Sequence, residues 1–341
     1  MASSIWDVAK RAGISKSTVS RVMNGGSASE KTRAAVLDAI EELQYYPNGM
    51  ARGLRGIKSK VVGVVTLGTN AFEDTSTACR FAGMNNVFLA SGYSMLLINP
   101  FLEPTESILA NAFRYLRESR VDGLIFIGSI DSEKDRALAK QHRELVYTGE
   151  RIDEKSGFRL YLGNYHYSRD LYSYLISNGH KRILTLNTRS AAATSYSERR
   201  RAAYQEVCAL FNLAPDNQSF IYTKDAGLSD KEICEILYKQ FVEGRYTAIF
   251  SDSMHLARDT IAYFASRGLA LRDDYSLVSI ERGNACDNSE NPITSVCLPD
   301  HEYGEACAAL MLEVLENPEL TMKDVVMPYS FKVRSSVRNI G

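Results

Sequence analysis

Three short stretches at the start of the chain repeat their apolar residues at helical spacing, each bounded by residues that start or stop helices. Ser4-Ile5-Trp6-Asp7 has the form of a capping box, after which Ile5, Val8, Ala9 and Ala12 share one face. Gly13 interrupts that segment, and Ser15 can cap a second helix whose Val19 and Val22 face inward. Asn24-Gly25-Gly26 stops the second helix, and Ser29 caps a third with Val36, Leu37, Ile40 and Leu43 as its apolar stripe. The pattern predicts a helix-turn-helix and a third helix around one small core. With Val19 and Val22 turned inward, the second helix presents Lys16, Ser17, Ser20 and Arg21 to solvent.

From Lys60 onward the period changes. Val61 to Leu67, Ser94 to Ile98, Gly123 to Gly128, Arg182 to Leu186, Ala248 to Phe250 and Ser276 to Ile280 are apolar runs of buried-strand length. Between them lie segments of helical length, among them Thr105 to Arg120, Ser168 to Ser177, Glu198 to Phe211 and Ser229 to Glu243. Strand alternating with helix predicts doubly wound parallel sheets, and this many units needs two of them. Two facing sheets leave a cleft at the carboxyl ends of their strands, able to close on a small molecule. The expected fold class is an all-α helix-turn-helix headpiece plus an α/β periplasmic-binding-protein-like core of two doubly wound parallel-sheet subdomains.

Charge adds an asymmetry. The chain is -1 overall, yet its first sixty residues hold ten Lys or Arg against five Asp or Glu, which makes them +5 and the rest -6. A basic end on an ordinary body fits a segment that faces a polyanion. At 45% hydrophobic and 24% charged residues, the composition is globular and excludes a disordered or fibrous chain. No apolar run opens the sequence or reaches membrane-spanning length, so a cytoplasmic protein with no membrane association is expected. Cys79, Cys208, Cys234, Cys286, Cys297 and Cys307 lack zinc spacing and are expected as free thiols in a reducing compartment. Phosphate-binding glycine loops, a nucleophile elbow and a zinc-protease helix are all missing from the sequence, and His142, His166, His180, His255 and His301 are scattered. Neither catalysis, a cofactor nor a metal is expected.

A helix carrying Lys16, Ser17 and Arg21 suits duplex DNA, because Arg can donate two bonds to guanine in the major groove and Ser or Lys can bond several bases. Thr18 and Asn24 are placed for phosphates, which position a module without reading sequence. The bland alternative is a three-helix packing module with a solvated basic face.

The headpiece resembles the LacI/GalR family of transcription regulators through Asp7-Val8-Ala9-Lys10-Arg11-Ala12-Gly13-Ile14-Ser15, Thr18-Val19-Ser20-Arg21-Val22-Met23-Asn24, Tyr46-Pro47-Asn48 and Ala51-Arg52-Gly53-Leu54. The likeness continues through Arg120-Val121-Asp122-Gly123-Leu124-Ile125, Asn178-Gly179-His180-Lys181-Arg182-Ile183, Asp274-Tyr275-Ser276-Leu277-Val278 and Arg334-Ser335-Ser336, so it spans the chain. It implies a repressor that binds a double-stranded DNA operator as a homodimer under control of a small-molecule effector. It implies DNA contacts from Lys16, Ser17, Thr18, Arg21 and Asn24 in a headpiece at 1–46, and from Asn48, Ala51, Leu54 and Arg55 in a hinge at 47–60. Gly49, Gly53 and Gly56 each weaken a helix by up to about 1 kcal/mol, so the hinge orders only when held. In the family a leucine at the position of Leu54 is wedged into the minor groove. By the same resemblance the core at 61–341 crosses between subdomains near Leu162, Asn291 and Met322, giving an N-subdomain of 61–162 plus 292–321 and a C-subdomain of 163–291 plus 322–341. No leucine-heptad tail follows Arg338, which leans toward a dimer over a tetramer.

The effector residues implied are Phe72, Arg151, Asn164, Arg200, Asp252, Ser253 and Glu281, and several depart from the family. Gly163 replaces the Asp of an Asp-Asn pair, Ser253-Met254 stands where Asn-Asp is usual, and Ala203 replaces a glycine after Arg200. Missing carboxylates, with Arg199 and Arg201 flanking Arg200, suggest an electropositive pocket for an anionic effector such as a phosphorylated sugar. If those arginines are solvated surface charges, the ligand is a neutral sugar. A regulator with a degenerate pocket and no ligand is the alternative.

Overall fold

A computed structural model of the chain describes residues 4–23, 26–45, 58–66, 75–99, 107–128, 132–149, 157–188, 194–216, 218–223, 228–283 and 292–341. Asn24, Asn48, Ala51, Leu54, Arg55, Phe72 and Arg151 lie outside the described residues. The chain divides into two compact units: one holds the N-terminal helices, and the other runs from Lys60 to Gly341 apart from Arg117–Arg120.

In the first unit α1 (Ile5–Ala12) opens on a capping box, with the Asp7 carboxylate accepting from the Ser4 amide at 2.8 Å while Ser4 Oγ accepts from the Asp7 amide. Gly13 ends the helix at φ +67°, a left-handed conformation open to glycine. Ser15 Oγ accepts from the Thr18 amide at the start of α2 (Lys16–Met23), and Ser29 Oγ from the Thr32 amide at the start of α3 (Glu30–Glu42). Val8, Val19 and Val36, one from each helix, are fully buried, and Ala9, Val22 and Ala39 complete the core. Leu37, expected in the α3 stripe, is instead 56% exposed. Ala39 takes its place, because 36, 39, 40 and 43 recur at helical spacing while 37 points about 100° away from 36.

The second unit holds two six-stranded sheets. The first contains β1 (Val61–Thr66), β2 (Ser94–Ile98), β3 (Gly123–Ile127), β4 (Leu145–Thr148), β5 (Gly157–Tyr161) and β11 (Met322–Val326), all parallel, in the order β11-β5-β4-β3-β1-β2. Its helices are α4 (Thr75–Ala90), α5 (Ile108–Arg117), α6 (Glu133–Ala139) and α11 (Asp300–Glu316). The second contains β6 (Ile183–Asn187), β7 (Phe220–Tyr222), β8 (Ala248–Ser251), β9 (Ser276–Arg282), β10 (Thr294–Leu298) and β12 (Ser330–Lys332), in the order β12-β10-β9-β8-β6-β7, with β12 antiparallel to β10. Its helices are α7 (Asn164–Ser177), α8 (Thr194–Leu210), α9 (Asp230–Glu243) and α10 (Met254–Ser266). These are the two doubly wound sheets that the alternating pattern predicts.

Two crossings move from where the resemblance places them. The fully buried β10 pairs along its length with β9, so the return to the first sheet falls after Leu298 and not near Asn291. Met322–Val326 pairs with β5, where Arg159 and Asp324 form a bidentate ion pair across the strands, so the last crossing follows Val326 and not Met322. Both segments are short, and pairing partners rather than local pattern decide their sheet.

Asp300, the first residue of α11, fastens the junction. Its buried carboxylate accepts from Arg80 of α4 at 2.8 Å through Nε and lies 2.7 Å from Nη2; it also accepts from the Gly283 amide just beyond β9 at 2.9 Å. It therefore receives a donor from each half of the unit. Gly83 and Gly304 face the partner helix backbone with no room for a Cβ, which lets α4 and α11 approach closely enough to set Arg80 over the Tyr303 ring at 4.8 Å.

Cys79, Cys208, Cys234 and Cys307 are free, as expected, but Cys297 is disulfide-bonded, its partner lying outside the described residues. Sequence spacing carries no signal of that pairing. Among the described residues no helix is long and apolar enough to cross a membrane.

His180 shows how the fold uses a buried histidine. Its ring lies 3.0 Å from Thr247 Oγ1 and 3.1 Å from the Arg338 carbonyl, and burial lowers its pKa below the ordinary 6.5 despite that second bond. A ring neutral in the fold and more easily charged when unfolded contributes stability above about pH 6.5 that is lost as the pH falls. Thermal melts between about pH 7.5 and pH 5 should show Tm falling with acid, and less steeply in His180→Gln; equal slopes would remove His180 as a cause.

Candidate functional site

On α2 the inward turn of Val19 and Val22 leaves Ser17 and Arg21 exposed and Lys16, Thr18 and Ser20 half-buried. The hydroxyl of Ser17 lies 2.8 Å from Ser15 Oγ and that of Thr18 2.9 Å from it, so both are fixed in the first turn. Lys16 Nζ sits 4.7 Å from the centroid of the Trp6 ring on α1. A cation and hydroxyls in the first turn, with a guanidinium one turn later, form a helix end able to meet base edges and phosphates together. Sequence reasoning identified these α2 residues but missed Trp6.

A second site forms at the carboxyl ends of β6 and β8. Arg200 on α8 is 4% exposed, and its Nη1 donates to Asp252 Oδ2 at 3.0 Å and to Asn187 Oδ1. Asp252 Oδ1 accepts from the Thr188 amide at 2.9 Å, so one carboxylate bridges the ends of neighbouring strands. The guanidinium lies 5.4 Å from the Phe250 ring centroid. Burial works against its charge, but Asp252, with Tyr167 and Tyr172 beside it, more than offsets that cost and raises its pKa. Arg200 Nε, Asn187 Nδ2 and Ser197 Oγ are buried without hydrogen-bond partners among the described residues, an arrangement that suits a polar ligand.

The other expected effector residues divide. Asn164 is buried at the start of α7, behind Gly163, whose φ of +67° is a conformation that favours glycine over the family's Asp. Ser253 Oγ is spent on capping α10, accepting from the Leu256 amide at 3.3 Å. Both oxygens of the buried Glu281 are held by Arg334, at 3.0 and 3.3 Å, and Arg334 also donates to the Ile293 carbonyl at 2.6 Å.

Of the three consecutive arginines expected to make an electropositive pocket, Arg201 is held elsewhere. Successive helical positions diverge by about 100°, and Arg201 lies 4.4 Å from the Phe220 centroid and donates to Tyr222 Oη at 3.1 Å. Asn187 was missed by sequence reasoning. Its signal was an amide side chain at the end of the strand run Ile183 to Leu186.

Models of known families match three parts of the chain. One described as bacterial regulatory proteins, lacI family, covers residues 4–48; one described as periplasmic binding proteins and sugar binding domain of LacI family covers 80–232; a periplasmic binding protein-like domain covers 172–337. The probable HTH-type transcriptional regulator EndR of Paenibacillus polymyxa is 28% identical over 331 residues, covering 94% of this chain and 92% of that protein. Catabolite control protein A of Priestia megaterium is 26% identical over 341 residues, covering 98% and 99%. Among solved structures, the lac repressor dimer bound to operator and the anti-inducer ONPF shares the fold at a TM-score of 0.81 and 20% identity, covering 99% of this chain and 100% of that one.

Asp252→Asn should strand the buried charge of Arg200 and destabilise the core by about 3 to 5 kcal/mol, whereas removing both charges in Arg200→Met with Asp252→Asn should cost less. Urea denaturation of the three proteins checks this. Equal stability of Asp252→Asn and wild type would show that the pair does not hold the site.

Proposed function

This chain belongs to the LacI family of bacterial regulatory proteins, and we propose that it is a repressor whose grip on a DNA operator is set by a sugar or sugar phosphate bound in its core. It is a sequence-specific DNA-binding transcription regulator and not an enzyme. The observation that carries the reading is the face of α2, where Ser17 and Arg21 stand outward beside Lys16 on a helix locked to its core by Val19 and Val22. Lys16, Ser17 and Arg21 read base edges, and Thr18 and Asn24 hold phosphates. A hinge at 47–60 joins a headpiece at 1–46 to a core at 61–341, and Asn48, Ala51, Leu54 and Arg55 contact the duplex from it, Leu54 as a minor-groove wedge. Two headpieces act together through a core homodimer on a pseudo-palindromic site, in the cytoplasm.

The effector sits at the carboxyl ends of β6 and β8 against Arg200, Asp252 and Asn187, with Asn164, Phe72 and Arg151 around it. Asp252 already answers the charge of Arg200, so the donors left over, Arg200 Nε and Asn187 Nδ2, suit the oxygens of a neutral sugar better than a phosphate. The effector acts on DNA affinity by binding one arrangement of the core more tightly than another. Ser253 and Glu281, spent on a helix cap and an ion pair, favour a second reading in which no ligand is bound. A thermal-shift panel of free and phosphorylated sugars separates the two, since the second predicts no shift.

Selection from randomised duplexes should return a pseudo-palindrome, and binding should weaken steeply with salt. Arg21→Ala should relax preference at one position of each half-site by about 1 to 3 kcal/mol. A loss spread over all sequences would make Arg21 a phosphate contact, and failure to select any sequence would end the reading.

A further inference from the structure

Trp6 is the sole tryptophan of the chain, and it stands 64% exposed on α1. An indole combines a large apolar body with one N–H, a pairing that suits a surface where a partner meets water. Its ring faces the Lys16 ammonium at 4.7 Å, and together with Lys10, Gly13, Ile14 and Ser17 the two line an open hollow beside the start of α2. Packing of Val8 on α1 against Val19 on α2 sets where the ring lies relative to the recognition helix. Two of the nearby charges are already committed, since Asp7 accepts from Ser4 and Arg11 is ion-paired with Glu42, while Lys10 adds a second cation to the hollow.

We infer that Trp6 is a positioning residue for DNA recognition, fixing the Lys16 ammonium for base contact and being covered by the sugar-phosphate backbone when the duplex docks. The inference rests on α2 being the helix that reads DNA. A lysine on its flexible stem is a poorly directed point charge. Held against an aromatic face it loses that freedom, while its N–H donors remain available on the side away from the ring. The apolar rim of the indole matches the carbon face of deoxyribose, which explains why the ring is left outside the small core.

The test uses the full chain and the duplex it selects from a randomised pool. Emission of Trp6 should change in step with binding measured by gel shift; unaltered emission at saturating duplex would overturn the inference while leaving the DNA-reading helix intact. Selection and affinity are then measured for Trp6→Ala, Trp6→Phe, Lys16→Ala and the double alanine variant. Trp6→Ala should lose about two- to fivefold of the preference at the base position that Lys16→Ala also relaxes, the double variant should add little, and Trp6→Phe should restore most of it. A loss equal across sequences and additive with Lys16→Ala would overturn the inference. Because the ring is exposed, circular-dichroism melts of the variants should match wild type, and Trp6→Phe keeps the comparison valid if the alanine variant unfolds. A protein that selects no sequence at all would overturn the reading beneath this inference as well.

Discussion

A guanidinium taken out of water has to be met by a carboxylate, and among the described residues three such pairs stand where core pieces join. Arg200 and Asp252 do so at the ends of β6 and β8, Arg334 and Glu281 where the C-terminal segment crosses β9 and β10, and Arg80 and Asp300 where α4 meets α11. Desolvation of each ion costs several kcal/mol, so such pairs add little net stability. Their effect is on arrangement, because a shifted strand or helix would leave a buried charge unanswered. At Arg200 the pairing has a chemical result too: the charge is neutralised internally and the remaining N–H donors are what a ligand would meet.

The same constraint ties the two sheets into one device. The chain passes between them after β5, after β10 and after β11, and Asp300 takes hydrogen bonds from both sides at the second passage. On the function proposed above, a ligand at the strand ends of β6 and β8 would act on a core whose halves share buried bonds. Coupling to DNA affinity requires a core with two arrangements that the ligand binds unequally.

Much of this was legible in the sequence. The headpiece read clearly because caps, turn glycine and apolar spacing agree over forty residues, and the one misplaced residue, Leu37, lies at the margin of a stripe that Ala39 completes. Strands such as Ser94–Ile98 were found to the residue because their apolar runs are continuous. The polar and small-residue strands, β10 with Thr294 and Ser295 and β11 with Lys323 and Asp324, gave no such pattern, and their sheet was decided by partners distant in the chain. The site was half legible. Arg200 and Asp252 came from resemblance, but the role of Glu281 depended on Arg334, 53 residues away, and the separation of Arg201 from Arg200 on the rotation of a helix. Pairings of that kind leave no local trace.

The most direct test of the account is reciprocal linkage in the intact protein. The affinity for its selected operator is measured at fixed salt with and without the sugar that stabilises it most in thermal melts, and the affinity for that sugar with and without operator. Both constants should change by the same factor, of about 5- to 150-fold. Operator affinity that stays the same at saturating sugar would contradict it.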